Sequence, residues 1–221
     1  VITPYIIPVF SLPKPEGDSF VGTETFHWVD SSRYEWFTKE NADDLREIMV
    51  QSWYPSVDNQ HKEVEPYMDF IELRSKTIAS AGNLPSFLPS HLNLVKTNSY
   101  SNIPCKIQQG GLPVVIFSHG ITGSRHLHQA FFEHLSSHGY IVIALDHSYD
   151  SNLTIFPGGR IADYRSDITG HPDSISIRQS QIDTRTKDII FVLNQLTKVN
   201  EGKIKSSLNR RINLNNIAVG G

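Results

Sequence analysis

Two short, wholly apolar runs flanking a helix-length segment restrict most what this chain can fold into. Val114-Val115-Ile116-Phe117 contains no polar residue, and Tyr140-Ile141-Val142-Ile143-Ala144-Leu145 repeats the pattern further on. A strand exposed on one face alternates apolar and polar residues. One without alternation is covered on both faces, as in a parallel sheet between layers of helices. Between the two runs, residues 127–138 place Leu127, Phe131 and Leu135 at i, i+4 and i+8. That spacing predicts an amphipathic helix with this face on the sheet, stopped by Gly139. The strand-helix-strand unit of residues 114–145 sets the class as α/β.

The rest of the chain is read outward from that unit. Pro4, Pro8, Pro13 and Pro15 keep residues 1–19 as an extended arm, because proline removes a donor and restrains its neighbours. Residues 20–30 and 46–54 are rich in β-branched and aromatic side chains and predict two strands, a hairpin being one way to join them, with Pro55 ending the second. Residues 56–112 hold a single helical pattern at 66–81, with Met68, Ile71, Leu73 and Ile78, and are then broken by Pro85, Pro89 and Pro104. This proline-rich insertion is too long for a plain connection and is read as a lid-like excursion or part of a binding wall. A loop is expected over 146–173. A long helix follows over 176–198 with an apolar stripe of Ile182, Ile189, Val192, Leu193 and Leu196, and a third buried strand begins at Ile217-Ala218-Val219. Trp28, Trp36, Phe37, Trp53 and Tyr54 are expected mainly in the sheet core.

Composition excludes several functions. With 221 residues, 38% of them hydrophobic, the chain can bury one core and is read as a single domain spanning 1–221. Its 20 basic and 23 acidic side chains give a net charge of -3, so no basic excess favours nucleic acid as a partner. Cys105 stands alone, which rules out an internal disulfide and a cysteine zinc site; no cofactor and no metal is expected. No run approaches the ~18 apolar residues of a membrane span. The start on Val1 and the apolar opening to Leu12 point to a processed or trimmed beginning. Secretion, an upstream membrane anchor and the cytoplasm stay open, as does contact of that opening with a lipid surface.

In a parallel sheet, ligands gather beyond the carboxyl ends of the strands, where helix starts leave amides unpaired. Those ends are residues 118–123, residues 146–151, and Gly220 onward. Ser118-His119-Gly120-Ile121 is the kind of turn that serine-dependent ester hydrolysis requires. Gly120 lets the backbone approach and the Ile121 amide would donate to the oxyanion, alongside the amide following the nucleophile. A glycine turn after a buried strand is also common in proteins without such chemistry. Ile217-Ala218-Val219-Gly220-Gly221 runs from strand into glycine, as a Gly-x-Ser-x-Gly elbow begins, with Gly221 as its first glycine; a merely flexible Gly-Gly reads equally well from the pentapeptide.

A wider resemblance weighs these alternatives. The stretch from Phe117-Ser118-His119-Gly120 through Leu135-Ser136-Ser137-His138-Gly139-Tyr140-Ile141-Val142 to Asp146-His147 resembles the platelet-activating factor acetylhydrolase family of the plasma and intracellular type II kind. So do Trp53-Tyr54-Pro55, Ile177-Arg178 with Arg185, and Asn216-Ile217-Ala218-Val219-Gly220-Gly221, while Leu12-Pro13-Lys14-Pro15 and Val21-Gly22-Thr23 look like bacterial members. The resemblance implies an α/β-hydrolase fold, a mostly parallel central sheet flanked by helices. It implies a serine esterase or lipase for short or oxidised acyl esters, with a small-molecule or phospholipid ester as substrate and no metal dependence. In that family the oxyanion donors match the Ile121 amide and the amide after the serine, and the Ser, Asp and His of the triad would all follow Gly221. On this reading the chain is truncated before the elbow and inactive by itself. A dienelactone-hydrolase-like or cutinase-like esterase, and a hydrolase scaffold used only for binding, are the competing readings.

Other chemistry-bearing residues have plainer readings. His119 is expected to shape the turn, Asp146 to orient the crevice loops and Ser118 to be structural. His126, His128, His134 and His138 are expected on a solvated helix face and its ends, although His134 and His138 have the spacing of a helical metal pair.

Overall fold

The computed structural model describes residues 9–58, 63–85 and 87–221. Expectations for residues 1–8, the first part of the arm, lie outside the described residues. Strands β1 (Phe20–Tyr34) and β2 (Leu45–Ser56) form a long antiparallel pair, and β3 (Ser99–Ser101), β4 (Leu112–Ser118), β5 (Ile141–Asp146) and β8 (Ile212–Gly220) complete a six-stranded sheet in the order β3-β1-β2-β5-β4-β8. The pairs β1/β3, β4/β5 and β4/β8 are parallel, whereas β1/β2 and β2/β5 are antiparallel. Helices α1 (Ile71–Ala81), α2 (Gln129–Ser137) and α3 (Ser174–Asn200) accompany the sheet.

The unbroken apolar runs behave as their pattern requires. On β5, Ile141, Ile143 and Leu145 join the cluster that contains Val192, Leu196 and Val199 of α3, while Val142 and Ala144 pack with Phe132 of α2 and Trp53. The sheet is therefore covered by a helix on each face, and every β5 residue is buried. Gly139 closes α2 at φ +98°, a conformation costly for residues with a Cβ, and its amide donates to the Ser136 carbonyl.

Several expectations are corrected. Pro55 does not end β2: it pairs with Val21 of β1, and its carbonyl accepts from the Lys106 amide. A residue's N–H and C=O point to the same side of a strand, and β5 pairs with β2 only to Trp53, so the missing N–H removes no bond to β1. The face of α2 is also different. Leu127 precedes the helix and, with Phe131, is about half exposed, whereas Gln129, Phe132, Glu133 and Ser136 are buried. Glu133 turns inward because it accepts from the Asn98 amide at 3.0 Å, the Ser99 hydroxyl at 2.6 Å and Gln129 at 3.0 Å, binding the segment around β3 to α2.

On α3, Ile182 is exposed, and the buried stripe passes through Gln181 and Asp188 before reaching Val192. The third crevice strand, β8, starts at Ile212 rather than Ile217, and Val219 is exposed because β8 pairs only with β4 among the described residues. The loop at 146–173 contains a two-stranded ribbon, β6 (Leu153–Ile155) with β7 (Ile161–Asp163). Residues 56–112 supply not only α1 but also the edge strand β3. Trp28, Trp53 and Tyr54 are core residues as expected, whereas Trp36 and Phe37 lie in the β1–β2 connection and pack on each other with ring centres 4.1 Å apart. Burial pushes the Cys105 thiol up to about 12, consistent with a structural role. Among the described residues no helix is long and apolar enough to cross a membrane.

Candidate active-site crevice

β4 lies between β5 and β8, with Ser118 beside Leu145 and Phe117 beside Gly220, so all three expected strand ends meet at one edge. Gly221 is seated so closely on the Ser118 carbonyl that a Cβ there would overlap its oxygen. Beyond Ser118 the chain makes a tight turn in which the Gly123 amide donates to the Gly120 carbonyl at 2.9 Å. Thr122, in that turn, has φ +60°, an unusual conformation for a β-branched residue, and is held by its amide's bond to the Asp150 carbonyl at 3.2 Å. Ile121 is half exposed, and its amide has no intramolecular acceptor among the described residues. The turn thus leaves the Ile121 amide without an intramolecular acceptor among the described residues, while the Thr122 and Gly123 amides that follow it are both bonded.

The turn is fastened from below. Ser118 Oγ and His147 Nε2 are 2.9 Å apart, and His147 Nδ1 and Asp188 Oδ2 are also 2.9 Å apart. The His147 amide donates to His119 Nε2 at 3.2 Å, and His119 Nδ1 in turn lies 2.6 Å from the Gly120 carbonyl. Arg185 donates to Ser118 Oγ at 3.2 Å, to the His119 carbonyl, and to Asp150 at 2.9 Å. Beneath these, Asp188 receives two bonds from Arg46, at 3.1 and 2.5 Å, and an ion pair with Arg33 at 2.9 Å, while Arg46 also binds Glu35 at 2.7 Å. Burial would raise the Asp188 carboxyl, but Arg46 and His147 outweigh it and hold it well below the usual range.

A second buried network joins the insertion to the crevice. Asp146 accepts the Arg125 amide at 2.7 Å and its guanidinium, and Arg125 continues to Asp69. Asp69 accepts from Arg74 of α1 at 2.8 Å, and Arg74 also donates to the Leu153 carbonyl at 2.7 Å. Asp146 therefore orients the crevice loops, as expected. Between α1 and the turn lies a cavity of about 190 Å³ lined by Met68, Arg74, Ile78, Thr122 and Leu127, among others.

Of the histidines, His119 does shape the turn. His126 contradicts the expectation of a solvated face: it is 2% exposed beside Arg125 and Asp69. The His134 and His138 rings pack 4.5 Å apart, and among the described residues no group of three or more His, Cys, Asp or Glu is placed to hold a metal. Sequence reasoning missed Asp188, Arg46 and Arg125. Asp188 could have been found by extending the helical spacing of Val199, Gln195 and Val192 one turn further, and Arg46 by noticing a lone cation opening a strand that is otherwise mostly buried.

These buried histidines give the protein a pH signature. Burial lowers His119, lowers His126 well below the ordinary value, and brings His147 to about 4. Between about pH 6.5 and 4 the unfolded chain binds protons at these positions that the native state refuses, so stability falls as pH falls through that window. His147 alone contributes roughly 3 kcal/mol to this loss. The paired carboxylates, whose values are depressed, add their loss only below about pH 4. Urea midpoints are expected to drop from pH 7.5 to 4.5, and the drop should shrink in His147→Gln; equal midpoints at the two pH values would contradict the assignment.

Comparison with known proteins adds a separate line of support. The family described as Platelet-activating factor acetylhydrolase, isoform II, matches residues 11–217. A platelet-activating factor acetylhydrolase of Canis lupus familiaris is 23% identical over 70% of this chain and 37% of its own length. A protein of Arthroderma benhamiae named "Probable 1-alkyl-2-acetylglycerophosphocholine esterase" is 26% identical over 86% of this chain and 49% of its own. Among solved structures, a ferulic acid esterase from Streptomyces cinnamoneus superposes with a TM-score of 0.71 at 28% identity, covering 95% of this chain and 54% of that one. The chain thus spans about half the length of such relatives, or less.

Proposed function

The chain belongs to the platelet-activating factor acetylhydrolase, isoform II, family, and from that premise we propose that its protein is a serine-dependent carboxylic ester hydrolase. Its substrates are short or oxidised acyl esters of phospholipids. The observation that carries this reading is the free Ile121 amide on a rigid turn at the end of a parallel strand, beside the closely seated Gly221. On this reading the amide donates to the negative oxygen of the tetrahedral intermediate. Gly120 leaves the approach open, since no atom other than those of its chain neighbours lies within 4 Å of where its Cβ would be. Gly221 serves as the first glycine of the elbow, and the nucleophile stands two residues beyond it, with the acid and histidine of the triad later in the full-length protein. The described residues belong to one α/β-hydrolase domain that is incomplete without the elbow and triad, with residues 9–19 as an arm along it. The 56–112 region acts as a wall of the crevice, fixed through Asp69 and Arg125, and the 190 Å³ cavity beside Thr122 suits a short acyl group.

The likeness to a ferulic acid esterase supports a second reading, an esterase for aromatic acyl groups. Steady-state hydrolysis by the full-length protein separates the two. A 1-alkyl-2-acetyl glycerophosphocholine turned over in preference to long-chain diacyl lipid and to methyl ferulate fits the first reading, and preference for ferulate fits the second. Turnover of none of these esters would leave a binding scaffold and refute both.

A further inference from the structure

Ser118, His147 and Asp188 have the contacts of a serine, histidine and aspartate relay, with successive distances of 2.9 Å. Their setting differs from that of a working nucleophile. His147 and Asp188 are fully buried, Arg185 occupies a second position on the Ser118 hydroxyl, and Ser118 ends a strand rather than occupying an elbow. The contacts also dictate proton positions. Asp188 is ionised against Arg46 and Arg33, so His147 Nδ1 carries the proton and donates to it, which leaves Nε2 to accept the Ser118 O–H. The His147 backbone amide then meets His119 Nε2, so that ring must carry its proton on Nδ1, the nitrogen facing the Gly120 carbonyl.

These contacts hold the residues on both sides of the Ile121 amide, some through the backbone and Ser118 through its side chain. Ser118 and the His119 carbonyl are held by His147 and Arg185, Gly120 by the His119 ring and the Gly123 amide, and Thr122 by Asp150, itself bound to Arg185. We infer that Ser118, His147, Asp188 and Arg185 form a positioning relay, anchored on the buried His147 and Asp188, that fixes the Gly120–Ile121 turn in the geometry the esterase reaction needs. The inference rests on the proposed function for its catalytic consequence. Its structural content, the proton positions, stands apart from that function. These are positioning residues: none of them touches the reacting ester. A turn free to shift by about 1 Å loses up to about a hundredfold in rate even when substrate binding is unchanged.

Two measurements test the relay. In the full-length protein, Ser118→Ala is expected to lower kcat on p-nitrophenyl acetate by about tenfold or more, with KM within about twofold and the melting temperature lowered by only a few degrees, so that the variant stays folded at the assay temperature, and Ser118→Thr is expected to recover most of the rate. Equal kcat in wild type and Ser118→Ala would overturn the relay, as would a loss of rate that simply tracked a loss of folded protein. The second reads the imidazoles directly by ¹⁵N–¹H NMR at neutral pH. The expected result is a downfield Nδ1 proton on His147 that is lost in Asp188→Asn, together with an unprotonated Nε2; protonation of His147 on Nε2 would overturn the inference. If wild type hydrolyses no ester yet the NMR result is as expected, the functional reading fails and the relay stands.

Discussion

Replacing Arg46 with methionine is expected to destabilise the protein by about 3–5 kcal/mol, the range seen when one partner of a buried ion pair is removed. Arg46 is 1% exposed and donates to Asp188, to Glu35 and to the Ser148 carbonyl, so four hydrogen bonds converge on one guanidinium. Desolvation disfavours its charge, but the two carboxylates more than compensate and raise its affinity for the proton. Methionine fills much of the volume and leaves both carboxylates facing a low-dielectric interior, with Arg33 and His147 only partly compensating Asp188. The sign with pH is diagnostic. In Arg46→Met the native Asp188 carboxyl should rise above its unfolded value, so stability is lost as pH rises, and the penalty should be smaller at pH 4.5 than at pH 7.5. Urea unfolding at the two values measures it. A loss below about 1 kcal/mol at pH 7.5 would mean that the pair behaves like an exposed one.

Ile121→Pro is expected to reduce kcat of the full-length protein by about 10²–10³ with KM little changed, the cost of deleting one oxyanion donor. The substitution removes the amide hydrogen and little else. Ile121 occupies the second position of the turn closed by Gly123 and Gly120, a position that proline favours in type I and II turns. It does not have a positive φ, and the preceding Gly120 tolerates the restriction a following proline imposes. No intramolecular hydrogen bond is lost among the described residues, so folding should persist. Ile121→Ala, which keeps the N–H, should retain most of the rate. An unchanged kcat in the folded proline variant would remove the amide from the chemistry.

The parts of this architecture that were legible in the sequence are those governed by local pattern. The apolar runs ending at Phe117 and Leu145 had only one arrangement that covers both faces, and Gly139 marked a real helix stop. The turn at Gly120 was legible because it follows directly from a buried strand. What remained hidden was set by distant partners. Glu133 lies off the predicted Leu127, Phe131 and Leu135 face and is drawn inward by donors from Asn98 and Ser99, far away in the chain. Leu127 and Phe131 had the correct spacing but lost the buried face to that polar contact. Asp188 lay within a helix stripe otherwise read as apolar, and its burial depends on Arg46 from β2 and His147 from the crevice, which periodicity within α3 cannot reveal. Ser118 was read as structural, and its tie to His147 could not be read from residues 29 positions apart.

The central claim, that this crevice supplies one oxyanion donor to a nucleophile standing after Gly221, is tested most directly by mapping a fluorophosphonate adduct on the full-length protein by peptide mass spectrometry. The expected result is a single modified serine two residues beyond Gly221, with labelling slowed in Ile121→Pro. Modification of Ser118, or no covalent adduct in a protein that still hydrolyses p-nitrophenyl acetate, would contradict it.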